Sequence, residues 1–251
     1  MRYGDLTFLD IRAHAAAGAL AIVPTGCTEQ QGPHLSVDFD SWFAETLMVA
    51  AAERVAQQDG VTALVVPVLP FGPTPEHRNF GSGYIDLPRA VHHAILRAIL
   101  DSLMQQGFQR LVLWRGCGGH QLDDVVTHFN AQAPPRAHVF YPDWPYQASW
   151  CRVADPTIPA GHADSFTTAL TLFLRPDHVR GDQIRNPHNA PVNWDDPQLD
   201  FAQYSPSGVI GDPTYATAEV GARLWTDLVA VTAQILCDIA HTPIDAAPSG
   251  A

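Results

Sequence analysis

At 251 residues, with 46% apolar and 16% charged side chains, the chain is long enough to bury a sizeable core in one large domain or two small ones. Fourteen arginines, no lysine and a formal net charge of −12 exclude nucleic acid and anionic membrane as main partners, because phosphate recognition needs clustered positive charge. The absence of lysine also removes Schiff-base chemistry and the P-loop lysine, so a small-molecule or peptide substrate is the expected partner.

The start "MRYGDLTFLD" lacks a basic segment followed by an apolar one. No apolar run approaches the 18 or so residues that cross a bilayer. The chain is therefore read as soluble and cytoplasmic, with no membrane partner. Four cysteines, Cys27, Cys117, Cys151 and Cys237, form no C-x-x-C pair, which suggests neither a disulfide framework nor a zinc ribbon. Each reads first as a small buried apolar residue.

In chain order, "GALAIVPTG" predicts a short buried strand ending in a Pro/Gly turn, and "VTALVVPVLPFG" and "RLVLWRGCGG" repeat the pattern. Between them, "DSWFAETLMVAAAERVAQQ" and "LPRAVHHAILRAILDSLMQQG" carry apolar residues at helical spacing, the second stopped by a glycine. Strand, loop and helix in this order predict βαβ units, hence an α/β fold of three α/β/α layers with a mainly parallel central sheet. Such sheets place their sites outside the carboxyl ends of the strands, where the polar loops of this chain fall. From about Ala133 to Pro159 the chain is rich in Pro and Trp and predicts a strand, "AHVFY", leading into an irregular loop. Helices are predicted over "SFTTALTLFL" and "AEVGARLWTDLVAVTAQILCDIAHT", the latter as a core element or oligomer contact. No repeat or linker divides the chain, so residues 1–251 are assigned to one domain, with 243–251 as a frayed tail.

The predicted strand-end loops collect Glu29, His34, Asp38, Asp40, His77, Cys117, His120, His162 and Asp164. Oxygen and nitrogen ligands on such loops are how a hydrolase holds a divalent ion that acidifies water. Taken singly, each also reads as a residue that fixes its loop by a hydrogen bond. Within the predicted helices, His92 and His93 read as structural or solvated, as does His178 after a Pro-Asp pair.

Taken together, the segments follow a recognisable order. "PTGCTEQQGPHLSVDFD" is similar to G-S-x-E-Q-H-G-P-H-L followed by Asp, and "FGPTPEHRNFGSGYIDL" to G-x-S-x-E-H followed by G-T-I-S-L. "GFQRLVLWRGCGGHQ" is similar to G-F-x-x-I-x-x-x-N-G-H-G-G-N, and "GHADSFTTALTLFLRPDHV" to H-A-G-E-x-E-T-S and its helix. "GVIGDPTYATAEVGARL" is similar to G-V-x-G-D-P-x-x-A-T-x-E-x-G. From about Gly26 to Leu224 the chain thus resembles the creatininase (creatinine amidohydrolase) family. The resemblance implies a creatininase-like α/β/α domain, a homo-oligomer, and a two-metal site hydrolysing C–N bonds of small or cyclic amides. Family members open a lactam ring, remove a formyl group or trim a short peptide.

Carried over residue by residue, the resemblance makes Glu29 the first acidic ligand and Asp40 the bridging aspartate. Gln31 and Cys117 stand where it places histidine ligands, and Thr167 stands where it places a glutamate. An amide oxygen is a far poorer ligand than an imidazole, and a hydroxyl does not replace a carboxylate. A single ion on Glu29, Asp40 and Cys117, zinc, manganese or iron, is the reduced site this implies, and a site with no metal is its equal alternative. His162 matches the family histidine near the reacting amide and is the expected proton shuttle. His77 and Arg78 are expected to line the pocket, with His120 nearby, and Tyr84, Trp144 and Trp150 to shape it for a flat or apolar substrate. Three readings follow: an amidohydrolase with one ion; a metal-free enzyme using acid–base chemistry at Glu29 and His162 or a Cys117 nucleophile, for a cyclisation, hydrolysis or isomerisation in a specialised biosynthetic pathway; or a non-catalytic binding or assembly subunit.

Overall fold

The computed structural model describes residues 1–133, 137–158 and 161–244. Four parallel strands, β1 (Leu20–Thr25), β2 (Ala63–Val65), β3 (Arg110–Arg115) and β4 (His138–Phe140), lie in the order β2-β1-β3-β4. Leu20 sits opposite Ala63 on one side and Arg110 on the other, and Arg110 opposite His138. Side chains alternate between the two faces, as the two-residue period of a strand requires. Leu20, Ile22, Val112 and Trp114 enter one core, while Ala21, Val23, Leu111 and Leu113 enter the other.

Helices cover both faces. Against the first core pack α2 (Phe39–Asp59), α5 (Tyr146–Val153), α6 (Ser165–Leu174) and α8 (Ala218–His241). The second is closed by α1 (Phe8–Ala16), α3 (Arg89–Gln105) and α4 (Asp123–Gln132), and a single turn, α7 (Phe201–Tyr204), lies outside the sheet. The chain leaves β1 for β2 through α2 on one face and returns to β3 through α3 on the other. The crevice between the ends of β1 and β3 is therefore a topological switch point, where open α/β sheets bind ligands.

The structure departs from expectation at several elements. The second predicted strand shrinks to three residues, because Pro67 and Pro70 lack the N–H a ladder needs. The expected irregular loop after β4 contains α5, whose Tyr146, Ser149 and Trp150 are buried. Helix α1 opens on a capping box in which Thr7 and Asp10 exchange hydrogen bonds, and α4 buries Val125 and Phe129 four residues apart; neither was expected. By length and composition alone, helix α8 is apolar enough to cross a bilayer, although charged residues interrupt its sequence. Its apolar residues Leu224, Leu228 and Leu236 are instead buried in the first core. Of the tail expected to fray, 245–251 lies outside the described residues.

Two glycines allow close backbone approach at the strand ends, Gly26 against α2 and Gly116 against the end of β1. A methyl group on Gly26 would lie 2.4 Å from Ser41 Cα, and one on Gly116 only 2.2 Å from the Thr25 carbonyl oxygen. Both obstacles are backbone, so neither can swing aside. Gly116→Ala should therefore destabilise the fold by about 1–3 kcal/mol in urea unfolding, whereas Gly181→Ala, with nothing within 4 Å, should change it by less than about 0.5 kcal/mol.

Candidate active site

At the carboxyl ends of β1 and β3 opens a cavity of about 560 Å³. Its polar floor is assembled from five segments. Glu29 comes from the loop after β1, Asp40 from the first turn of α2, and Cys117 from the Gly-rich loop after β3. His77 stands on a 3-10 turn, Pro75–Phe80, and His162 precedes α6, held by paired backbone hydrogen bonds to Ile210. The wall is apolar: Phe39, Trp144, Tyr146, Trp150, Phe166 and Phe201. Tyr146 stacks on Phe166 at 5.3 Å, and the Arg115 guanidinium lies 5.0 Å from the Trp144 ring centre.

Glu29 is the hub. One carboxyl oxygen lies 3.5 Å from His77 Nε2, and the other 3.6 Å from His162 Nδ1. The Cys117 thiol donates to it at 3.8 Å. Gln30 sets the protonation pattern of both imidazoles. Its amide oxygen accepts from the Gly32 N–H at 2.9 Å and its nitrogen donates to the Gly208 carbonyl at 3.2 Å, which fixes the amide orientation. The same nitrogen donates to His77 Nδ1 at 3.1 Å, so the His77 proton resides on Nε2 and faces Glu29. The Gln30 carbonyl, 2.6 Å from His162 Nε2, can only accept, so that nitrogen carries the proton and Nδ1 presents a lone pair to Glu29.

Burial drives the electrostatics. The Glu29 carboxyl is pushed far above the usual carboxylate range, first by loss of water and then by its neighbours Cys117, Asp40 and Glu76. Asp40 rises to about 7, again mainly through burial, and Glu76 is raised for the same reason. His162 falls to about 4 and His77 further, since burial disfavours the imidazolium. The cluster thus gathers acids that cannot ionise together and imidazoles that stay neutral, a set that lacks a positive charge.

A cation fits that set. Cys27, Glu29, Asp40 and Cys117 offer ligand atoms within 4.8 Å of one another, and Glu29, His77 and His162 form a second such group. The buried His77 Nε2 and Gln31 Oε1 have no hydrogen-bond partner. Gln31 itself does not act as a substitute ligand on the carboxylate side. Its amide nitrogen reaches Glu29 at 3.5 Å and Asp40 at 3.4 Å, bridging the two acids from where the family pattern puts a histidine. Thr167 turns its hydroxyl back to the Asp164 carbonyl at 3.1 Å and offers no charge.

The structure brings Glu29, Asp40, Cys117, His77, His162, Trp144 and Trp150 to one cavity. Three expected pocket residues lie elsewhere. The Arg78 guanidinium is held by Asp86, its Nε 2.7 Å from the carboxylate, and is turned from the cavity. Tyr84 does not line the cavity; its neighbour Ile85 is tied to the Thr28 carbonyl. His120 lies beneath the floor, its Nε2 3.0 Å from the Cys27 sulfur, so it is not placed to activate Cys117. Asp38 pairs with Arg175 at 3.0 Å, His34 binds Thr168 at 2.9 Å, and Asp164 caps α6. His92 and His93 are both buried. Sequence reasoning passed over Gln30, Cys27, Glu76, Tyr146 and Phe201. Gln30 stands inside the quoted "TEQQG" and was within reach, whereas Phe201 follows a stretch with no periodic pattern.

The family model for creatininase, creatinine amidohydrolase, matches residues 4–236. A mycofactocin precursor peptide peptidase of Mycobacterium tuberculosis is 30% identical over 223 residues, which cover 83% of this chain and 80% of the relative. The creatinine amidohydrolase of Pseudomonas putida is 26% identical over 245 residues, covering 90% of each. A solved creatininase in its manganese form superposes with a TM-score of 0.78 at 24% identity, covering 94% of this chain and 97% of that one. With the family pattern running through almost the whole chain and through the loops that build the cavity, this protein belongs to the creatininase family.

Proposed function

We propose that the protein hydrolyses an amide C–N bond with the help of one divalent ion held by Glu29, Asp40 and Cys117. The observation that carries this reading is the buried Glu29 carboxyl, set between a proton-accepting and a proton-donating imidazole and beside a second buried acid. When bound, such an ion supplies Lewis acidity, lowering the pKa of water and polarising a carbonyl.

The protein's own groups handle the protons. His162 Nδ1, unprotonated at pH 7, takes a proton from the attacking water, and the carbonyl of Gln30 holds Nε2–H and steadies the resulting imidazolium. The same proton then passes from Nδ1 to the departing amine. The Nε2–H of His77 donates to the oxygen on which negative charge develops. Trp144, Tyr146, Trp150 and Phe166 exclude water from one side and seat an apolar or flat substituent next to the amide. Relatives named for acting on creatinine and on a precursor peptide support a lactam, a small amide or a short peptide end as the substrate class.

The metal-free alternative using Cys117 as nucleophile is less well served. The thiol faces the Glu29 carboxyl, and the imidazole of His120 is engaged by Cys27.

Screening lactams, N-formyl amines and short peptides by mass spectrometry should find turnover that chelator abolishes and zinc or manganese restores. His162→Ala should lower kcat by about 10²–10⁴-fold with little change in KM, and Trp144→Ala should act mainly through KM. Turnover that survives both chelator and Asp40→Asn would sink the single-ion reading. Protons and the ion compete for Asp40, whose carboxyl titrates near 7. Below that pH the acid holds a proton that the ion must displace, so affinity should rise with pH between 6 and 8, read by competition with a chromophoric chelator. Asp40→Asn should weaken the ion's binding and make this dependence shallower by about one proton, since Glu29 and Cys117 still give up theirs.

A further inference from the structure

Three departures from the creatininase pattern meet at one point in the structure. Where G-S-x-E has serine this chain has Cys27, where N-G-H-G-G-N has histidine it has Cys117, and where that motif ends in asparagine it has His120. All three are buried, with 0%, 3% and 1% of their surface exposed. The two sulfurs and an imidazole nitrogen lie within 4.8 Å of one another. Atoms bound to one tetrahedral zinc ion, at about 2.0–2.3 Å each, lie about 3.3–3.8 Å from one another, so the trio closes on an ion by contracting no more than about 1.5 Å.

The local order supports a ligand role for His120. Its Nδ1 lies 3.3 Å from the Thr25 hydroxyl, which leaves Nε2 aimed at the Cys27 sulfur 3.0 Å away. Metal-binding imidazoles are oriented in this way, through a hydrogen bond at the nitrogen that does not bind. Next to it, His92 is fully buried with neither ring nitrogen hydrogen bonded, its ring centre 4.6 Å from that of His120. Buried polar atoms without partners are rare in folded proteins and mark places where an ion or water is missing from the account. Glu29 and Asp40 also present oxygens within 4.8 Å of the same two sulfurs.

We propose that Cys27, Cys117 and His120 form a thiolate-rich zinc site just beneath the floor of the cavity, with the fourth position exchanging between water and a carboxylate of the Glu29–Asp40 pair. The inference rests on the single-ion reading in that Cys117 is a ligand, but it adds a second sulfur and a nitrogen. Two thiol protons leave to solvent as two zinc–sulfur bonds form. Thiolate ligands select zinc over manganese, so this chain would differ in metal preference from sites built of imidazole and carboxylate.

The test titrates cobalt(II) into the reduced, metal-free full chain, follows the near-ultraviolet thiolate-to-cobalt band, and then adds zinc or manganese. The expected result is one equivalent of cobalt, displaced by zinc and not by manganese. Cys27→Ser should roughly halve the band intensity, and His120→Asn should weaken binding by at least about 10-fold. Both variants restore the residue of the family pattern, and circular dichroism verifies that they fold. A band unchanged in Cys27→Ser and His120→Asn but lost in Cys117→Ser would overturn this inference and leave the Glu29, Asp40, Cys117 site standing. Cobalt bound without a sulfur band, or no cobalt bound, would overturn both.

Discussion

Burying a carboxyl group without a counter-charge costs several kcal/mol, and a protein that does so must offset the cost elsewhere or keep the group protonated. Glu29 is in that position. Among the described residues, its ion-pair contacts are only with His77 and His162, and both imidazoles are held neutral by their own burial. Every other group in the floor takes its role from this imbalance. Asp40 and Glu76 deepen it, Gln31 bridges the acids with an amide nitrogen, and Gln30 fixes which imidazole nitrogen gives a hydrogen and which receives one. A divalent cation is the simplest species that would relieve all of them at once.

The fold makes this concentration of acids possible through close backbone approach. The alternating faces of β1 and β3 feed two separate cores, so the sheet is clamped from both sides and its loop-bearing end is held in register. Gly116 then lets the loop after β3 touch the end of β1, and Gly26 lets the loop after β1 touch α2, each one residue before a cysteine. The proximity of Cys27 and Cys117 thus follows from strand pairing and two missing side chains, not from the cysteines themselves.

Much of this was legible beforehand. The strands β1 and β3 and the helices α2, α3, α6 and α8 announce themselves by apolar period and by glycine or proline stops, and the ordered motifs point to the creatininase pattern and its floor residues. What was not legible has identifiable causes. Helix α5 is hidden by a Pro- and Trp-rich composition that reads as loop, although its helix holds only because Tyr146 and Trp150 find an aromatic cluster supplied by Phe43 and Phe166. His120 carries the same sequence signal as a pocket histidine, yet the turn of its loop directs it beneath the floor toward Cys27. Arg78 is taken by Asp86, eight residues on, a pairing that a search for catalytic groups does not weigh. Direction of side chains at the ends of strands, unlike the strands themselves, is decided by long-range packing.

The cavity also has a division along the chain. Glu29, Asp40, His77 and Cys117 all precede residue 122, whereas Trp144, Tyr146, Trp150, Phe166, Trp194 and Phe201 all follow residue 140. Apart from Phe39 and His162, the reactive floor and the shaping wall are written in different halves of the gene. Change in the second half that spares His162 can therefore resculpt the wall of the cavity without disturbing the acids of its floor. A fold partitioned in this way can vary its wall while its acidic centre stays in place.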